Sequence, residues 1–215
     1  MKTKTCLALL CTLLWCSSKA QNFNIEKYGA VGNGTTMNTT AIQKAIDAAS
    51  ANGGGKVIVP KGTFLTGTIR LKSNVDLSLD RGAVLLGSTS LSDYEKNDRW
   101  YALILTDKQS NIAVTGYGTI DGQGKTLALN IKKMVQDGKI DDPLKLNRPD
   151  EKFRPQLIEI QKSDRVKIQH VTLKNSSCWV ETYNKCTNLE IDSIQVQSTA
   201  YWRNGKYRKP RYDPP

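Results

Sequence analysis

Histidine is almost missing from this sequence: His170 stands alone among 215 residues, beside three methionines and three phenylalanines. One histidine excludes the Cys/His spacings of zinc sites. No Ser or Cys nucleophile motif lies near it, so a strand histidine at a corner is the expected role. Cysteine is scarce where it would matter. Three of the five, Cys6, Cys11 and Cys16, fall in the first twenty residues. Cys178 and Cys186 remain, and two cysteines are not a disulfide framework. They read as small apolar side chains in a core, although an oxidising compartment would permit a bond. No apolar run is long enough to cross a bilayer; the longest, 6–16, has eleven residues. Acidic residues are the minority, 20 against 31 Lys and Arg, for a formal charge of +11.

That charge is unevenly placed. Lys2 and Lys4 precede the apolar run, and Ser18-Lys19-Ala20 offers small residues for cleavage before Gln21. This is the layout of a secretory signal over residues 1–20, and it predicts a secreted or periplasmic protein with no membrane attachment after its removal. A further +4 lies in residues 203–215, where Arg203, Lys206, Arg208, Lys209 and Arg211 face only Asp213. The body, 21–202, keeps about +4. It carries no dense basic cluster or nucleic-acid motif, so nucleic acid is excluded as a partner.

Four segments resemble one another: NVDLSLDRGAVLLGS from Asn74, NIAVTGYGTIDGQG from Asn111, RVKIQHVTLKNS from Arg165 and NLEIDSIQVQST from Asn188. Each is a short alternating strand, a one- or two-residue corner, then a second strand. A further strand and a polar turn precede each. Val166 and Leu189 are 23 residues apart. Repeats of this length, with β-branched strands and Asn, Gly or Ser corners, predict an all-β, right-handed parallel β-helix. Val166, Ile168, Leu189 and Ile191 would stack inward. An antiparallel sandwich of short strands gives no reason for the likeness between repeats.

Ahead of the repeats, Ala41, Ile42, Ala45, Ile46 and Ala49 lie at helical spacing. Asn38 or Thr39 can cap this helix and Gly53-Gly54-Gly55 ends it. It is expected to cover the open end of the first coil. Residues 125–153 form a polar excursion, with Leu127, Ile131, Met134 and Val135 allowing a short amphipathic helix. From Arg203 the apolar/polar alternation stops, and 203–215 reads as an irregular basic tail.

The segments YGAVGNGTTMNTTAIQKAIDAA from Tyr28, GYGTIDGQG from Gly116, RPQLIEI from Arg154 and LKNSSCWV from Leu173 resemble, in order and spacing, the polygalacturonase family of glycoside hydrolases. The resemblance covers about residues 23–202. It departs at Asn33, where Asp is usual, and after Trp179, where Val-Glu-Thr replaces an apolar-His pattern. It implies inverting hydrolysis of pectic galacturonan or rhamnogalacturonan, with a general acid and a water-activating carboxylate about 6.5–9.5 Å apart. In the family an Asn-x-Asp-Gly-(Ile)-Asp segment, an Asp-Asp pair, a Gly-His-Gly and an Arg-x-Lys supply this chemistry. The first of these is due just after Trp202. Here 203–208 reads Arg-Asn-Gly-Lys-Tyr-Arg, without a carboxylate. The expectation is a C-terminally truncated β-helix, a frameshift near codon 203, and no activity. The alternative is a non-catalytic carbohydrate-binding or structural β-helix. An uncapped last coil is expected to self-associate.

No catalytic residue is therefore assigned, no substrate-binding residue is identified, and no metal or cofactor is implied. Asp121 reads as a turn residue between glycines. Asp137, Asp141 and Asp142 read as a solvated loop before they read as a calcium corner. Glu181 lies on a strand that floors the cleft in the family, yet a lone strand Glu has little claim to touch sugar. Tyr201 and Trp202 flank the break in pattern. Asn33, Asn38 and Asn175 each begin a glycosylation sequon; Asn175 is expected at a coil corner and the others in the opening loop.

Overall fold

A computed structural model describes residues 21–142 and 148–198, and the backbone of 201–203 and 206–208. Within the coil, successive strands turn through a corner into a different sheet and do not fold back on one another. Each strand instead pairs with its counterpart one turn later. β1 (Asn22–Asn24) and β2 (Asn33–Met37) start the coil. The first full turn is β3 (Gly55–Val59), β4 (Gly62–Thr66) and β5 (Ile69–Arg70). The second is β6 (Val75–Leu79), β7 (Ala83–Gly87) and, after the short β8 (Glu95–Lys96), β9 (Tyr101–Asp107). The third is β10 (Ser110–Gly116), β11 (Thr119–Asp121) and β12 (Gln156–Gln161). The fourth is β13 (Asp164–Gln169), β14 (Thr172–Lys174) and β15 (Glu181–Asn184), after which β16 (Thr187–Asp192) and β17 (Gln195–Gln197) open a fifth.

Three parallel sheets result. The first runs β1-β3-β6-β10-β13-β16, the second β2-β4-β7-β11-β14-β17 and the third β5-β9-β12-β15. Register turns the sequence repeat into columns. Val57, Leu77, Val114, Ile168 and Ile191 align in the first sheet. Phe64, Leu85, Ile120, Leu173 and Val196 align in the second. The first four members of both columns are fully buried, each worth about 1.5–3 kcal/mol. The last members, Ile191 and Val196, are 41% and 51% exposed, because they line the outer side of the last described turn. Val166 pairs with Leu189, as the 23-residue period predicts.

Left-handed residues shape the corners, with Lys108, Lys162 and Lys185 turning the chain ahead of the first sheet. Asn74, Asn111, Arg165 and Asn188 hold one corner at φ of 64°, 55°, 51° and 50°. Asn111 Nδ2 donates to Asn74 Oδ1 at 3.1 Å, so the side chains stack as the backbone does. Gly116, His170 and Ser193 hold the next corner. Gly116 is obligatory there: a Cβ would stand 2.1 Å from Leu79 O. His170 stacks on Tyr117 with centroids 5.2 Å apart, the expected corner role.

Helix α1 (Thr39–Ala51) buries Ala41, Ile42, Ala45, Ile46 and Ala49 against the first turns and closes that end of the core. Asn38 precedes it but makes no side-chain cap. It is 1% exposed, accepts from Val31 N at 2.7 Å and donates to Thr36 O at 2.7 Å, tying the opening loop down. Helix α2 (Gly124–Gln136) buries Leu127, Ala128 and Ile131, the apolar face read from the excursion. Two excursions, residues 88–100 and 124–155, leave at the same corner, between the second and third sheets. Past the coil, β18 (Tyr201–Arg203) pairs antiparallel with β19 (Lys206–Arg208), where an irregular tail is predicted. Asn-Gly, the pair at 204–205, is the favoured two-residue hairpin sequence and outweighs the loss of repeat pattern. Residues 1–20, with the signal reading, lie outside the described residues.

Asn38→Ala is expected to cost about 2–3 kcal/mol in urea unfolding, since it removes the side-chain hydrogen bonds to the backbone of Val31, Thr36 and Leu65. Asn33→Ala, on an exposed turn, is expected to cost less than half as much.

Candidate functional site

The third sheet is chemically unlike the other two. Thr106, Gln156, Glu159 and Gln161 are polar and buried on it. Among the described residues, the buried side-chain polar atoms without a hydrogen-bond partner are Thr106 Oγ1, Asp107 Oδ1, Gln156 Nε2 and Glu159 Oε2. All four belong to β9 and β12. Unsatisfied buried groups are rare and each costs stability, so their concentration marks this sheet as a functional surface.

Register separates its two sides. Ile69, Ile104, Ile158 and Glu181 share one side, and the three isoleucines are fully buried. Arg70, Leu105, Glu159 and Thr182 share the other. Arg70 shows which side faces outward: its Nε donates to Glu95 at 2.8 Å and its Nη1 to Asn97 Oδ1 at 2.8 Å, both on the first excursion. That excursion roofs the outward face, and Asn97 Nδ2 donates to Thr106 O. The second excursion is fixed beside it by Arg154, whose Nε and Nη1 donate to Pro149 O and Ser177 O. A hollow lined by Lys96, Arg99, Tyr101, Lys152 and Phe153 lies between the two excursions.

Glu159 is only 2% exposed. Gln161 Nε2 donates to its Oε1 at 2.6 Å, and Oε2 has no donor. Burial pushes its pKa up, and the Asp98 charge adds to the shift. Asp107 is the other carboxylate on this face among the described residues, with Lys162 Nζ at 3.9 Å. The roof covers Glu159. Glu181 sits on the inward side, continuing a column of isoleucines. Tyr183 Oη donates to it at 2.9 Å, and burial raises its pKa. Its neighbour Thr182 faces outward.

The remaining sequence candidates resolve individually. Asp121 holds a corner, accepting from Gln123 N and, at both oxygens, from Asn175 Nδ2. Asn175 is at the expected corner, with φ of 50°. Asn38 begins a sequon but is buried, so that site is closed in the folded chain. Asp137 ends α2, while Asp142 is buried and accepts from Asp150 N. Among the described residues no cluster of three or more His, Cys, Asp or Glu is placed to hold a metal. Cys178 and Cys186 are unbonded and half-buried, where a buried position is predicted. The fourth turn to which they belong is only partly covered. The side chains of Tyr201 and Trp202 lie outside the described residues. Sequence reasoning assigned no role to Glu159, although it lies in the RPQLIEI segment, and missed the hollow, which no motif signals.

Stacked parallel rungs with one polar, roofed sheet define a parallel β-helix. The profile of Glycosyl hydrolases family 28 matches residues 50–206, and the chain belongs to that family. It is 32% identical over 198 residues to a probable polygalacturonase of Vitis vinifera, covering 84% of this chain and 38% of that protein. The Yersinia enterocolitica family 28 exopolygalacturonase structure matches with a TM-score of 0.72 and 25% identity, over 84% of this chain and 39% of that one. The plasmin and fibronectin-binding protein A of Streptococcus pneumoniae is 33% identical over 162 residues, 71% of this chain and 21% of that protein. The chain thus spans about two fifths or less of these relatives.

A carboxyl with a raised folded-state pKa favours folding at low pH and loses that contribution as pH rises through the folded value. Glu159→Gln removes this loss. The variant's melting temperature is expected to exceed wild type at pH 7 and to match it near pH 4. Equal offsets at both values would show that Glu159 does not titrate this way.

Proposed function

We propose that this chain is the opening part of a secreted, pectin-directed glycoside hydrolase coil, and that the 215-residue polypeptide binds galacturonan- or rhamnogalacturonan-type chains without cleaving them. Family membership supports the pectic substrate class, as do relatives named polygalacturonases. The single observation that carries the loss of cleavage is Glu159. Inverting hydrolysis needs two accessible carboxylates about 6.5–9.5 Å apart, with water between. Here the outward face offers one sealed carboxyl and one lysine-neighboured Asp107. The sequence at 203–208 adds cations where the family adds acids.

A second reading is a binding β-helix with no hydrolytic ancestry in use. The likeness to a streptococcal binding protein favours it. Polygalacturonate incubated with the purified 215-residue chain separates the readings. The expected result is saturable binding with no reducing sugar released. Sugar release would overturn the inactive reading, and absence of binding would overturn pectin recognition and leave only a structural β-helix.

The exposed Leu189, Ile191 and Val196 continue columns buried one turn below. We propose that copies of this polypeptide associate through that end, since unpaired parallel strands beside exposed apolar rows are an adhesive surface. Sedimentation velocity is expected to show concentration-dependent oligomers. Replacing Ile191 and Val196 with Lys should shift them towards monomer, and a wild-type monomer at all concentrations would refute the proposal.

A further inference from the structure

Glu159 is covered by a part of the molecule that is held more weakly than the strands around it. The base of the first excursion is firm. Tyr94 is buried and its Oη donates to Ser88 O at 2.7 Å, Thr68 N donates to Asp93 O, and Glu95 N donates to Thr68 Oγ1. Beyond that point the grip loosens. Residues 95–99 read Glu-Lys-Asn-Asp-Arg, with no apolar side chain to bury. Polar contacts near the surface hold them: Arg70 to Glu95, Asn97 and Lys96 O, Asn97 Nδ2 to Thr106 O, and the two-residue β8 pairing with β9. β12, beneath, is laddered on both edges by β9 and β15, and its Ile158 and Ile160 are fully buried. When this site must yield, the roof moves and the sheet stays, because local opening follows the weakest contacts.

An ionised Glu159 has too few partners for this position. Oε1 accepts from Gln161 Nε2, and Oε2 has no donor. No cation of the surrounding elements is paired with it. Arg70, on β5, stands two turns down the same file with Leu105 between, and is committed to the roof. Lys162, past the end of β12, neighbours Asp107 at 3.9 Å. On the roof, Lys96 lies over the Tyr101 ring, and Arg99 lies over Trp100 and 3.7 Å from Glu151. On the second excursion, Lys152 lies over Phe153, while Arg154 donates to Pro149 O and Ser177 O. β15 brings the uncharged Thr182 alongside. The other acids of this region, Asp107 on β9 and Glu95 and Asp98 on the roof, carry the same sign as Glu159. A protonated Glu159 is tolerable here. A carboxylate is not, and the short way to hydrate it is to let water in where the roof is weakest.

We infer that Glu159 is the latch of a pH-operated roof: while it is protonated, residues 95–100 lie closed over the third sheet, and when it ionises they lift and open that face to water. The inference needs no assumption about what binds there. In the closed form burial raises the Glu159 pKa, with the Asp98 charge adding to it. In the open form the carboxyl returns to its ordinary range. The closed form therefore holds the proton more tightly. It is favoured at low pH and loses ground as pH rises towards the raised value. Each unit separating the two values changes the open-to-closed ratio about tenfold.

Hydrogen exchange read by mass spectrometry tests this on the 215-residue protein at pH 4.5 and pH 8, with each rate divided by its intrinsic chemical rate. Peptides spanning 95–101 are expected to lose protection at least about fivefold at pH 8. Peptides of α2, anchored by Leu127, Ala128 and Ile131, should keep theirs. Glu159→Gln cannot ionise, and its roof should stay protected at both values. A second measurement needs no variant: in the wild type, the Glu159 carboxyl carbon followed by NMR should titrate with the same midpoint as the loss of protection. Equal roof protection at the two pH values would overturn the latch, as would a parallel loss in α2, which marks general loosening. A full pH response surviving in Glu159→Gln, or separate midpoints in the wild type, would assign the change to another acid and overturn it too.

Discussion

Every part of this structure depends on one constraint: a strand must present the same depth of side chain as the strand one turn below. The third-sheet column Ile69, Ile104 and Ile158 satisfies it, as do Val57, Leu77, Val114 and Ile168 in the first. Backbone groups then pair between turns with no local contact needed. This is why very short strands, down to two residues in β5, hold their places. Helix α1 follows from the same rule. Beneath the first full turn lie only β1 and β2, so an amphipathic helix supplies the missing apolar surface.

The corners separate scaffold from function. The corner between the third and first sheets carries two left-handed residues in each later turn, such as Lys162 and Arg165, and neither it nor the next corner holds a long excursion. The third, between the second and third sheets, releases both long excursions. These meet over the outward face of the third sheet, where they bury Glu159 and enclose the cationic hollow. The unsatisfied oxygens of Asp107 and Glu159 lie on the face beneath this roof. Fixed columns inside thus leave the outer walls free to vary in length without disturbing the core.

Much of the scaffold is legible in the sequence. The spacing of Val166 and Leu189 becomes an observed pairing, and the Asn-led repeats become a corner ladder. The apolar faces of both helices follow from periodicity alone. The site is far less legible. Lys96 and Lys152 are remote in sequence and share no motif; only excursions from one corner bring them together. Glu159 reads as one more alternating strand residue, and its burial depends on a roof that has no repeat pattern. Asn38 reads as a helix cap, yet its amide is engaged by the loop before it. The hairpin at 201–208 was hidden by the loss of coil periodicity, although Asn-Gly is itself a turn signal.

Glu181 carries a consequence for growth of the solenoid. It places an acidic group in a file otherwise made of isoleucine, with only the Tyr183 hydroxyl to quiet it. Another lap laid over β15 by plain hydrophobic repetition would entomb that carboxyl. Whatever continues the coil must therefore bring a proton donor to this spot, so the next rung is specified by a chemical demand as well as by shape.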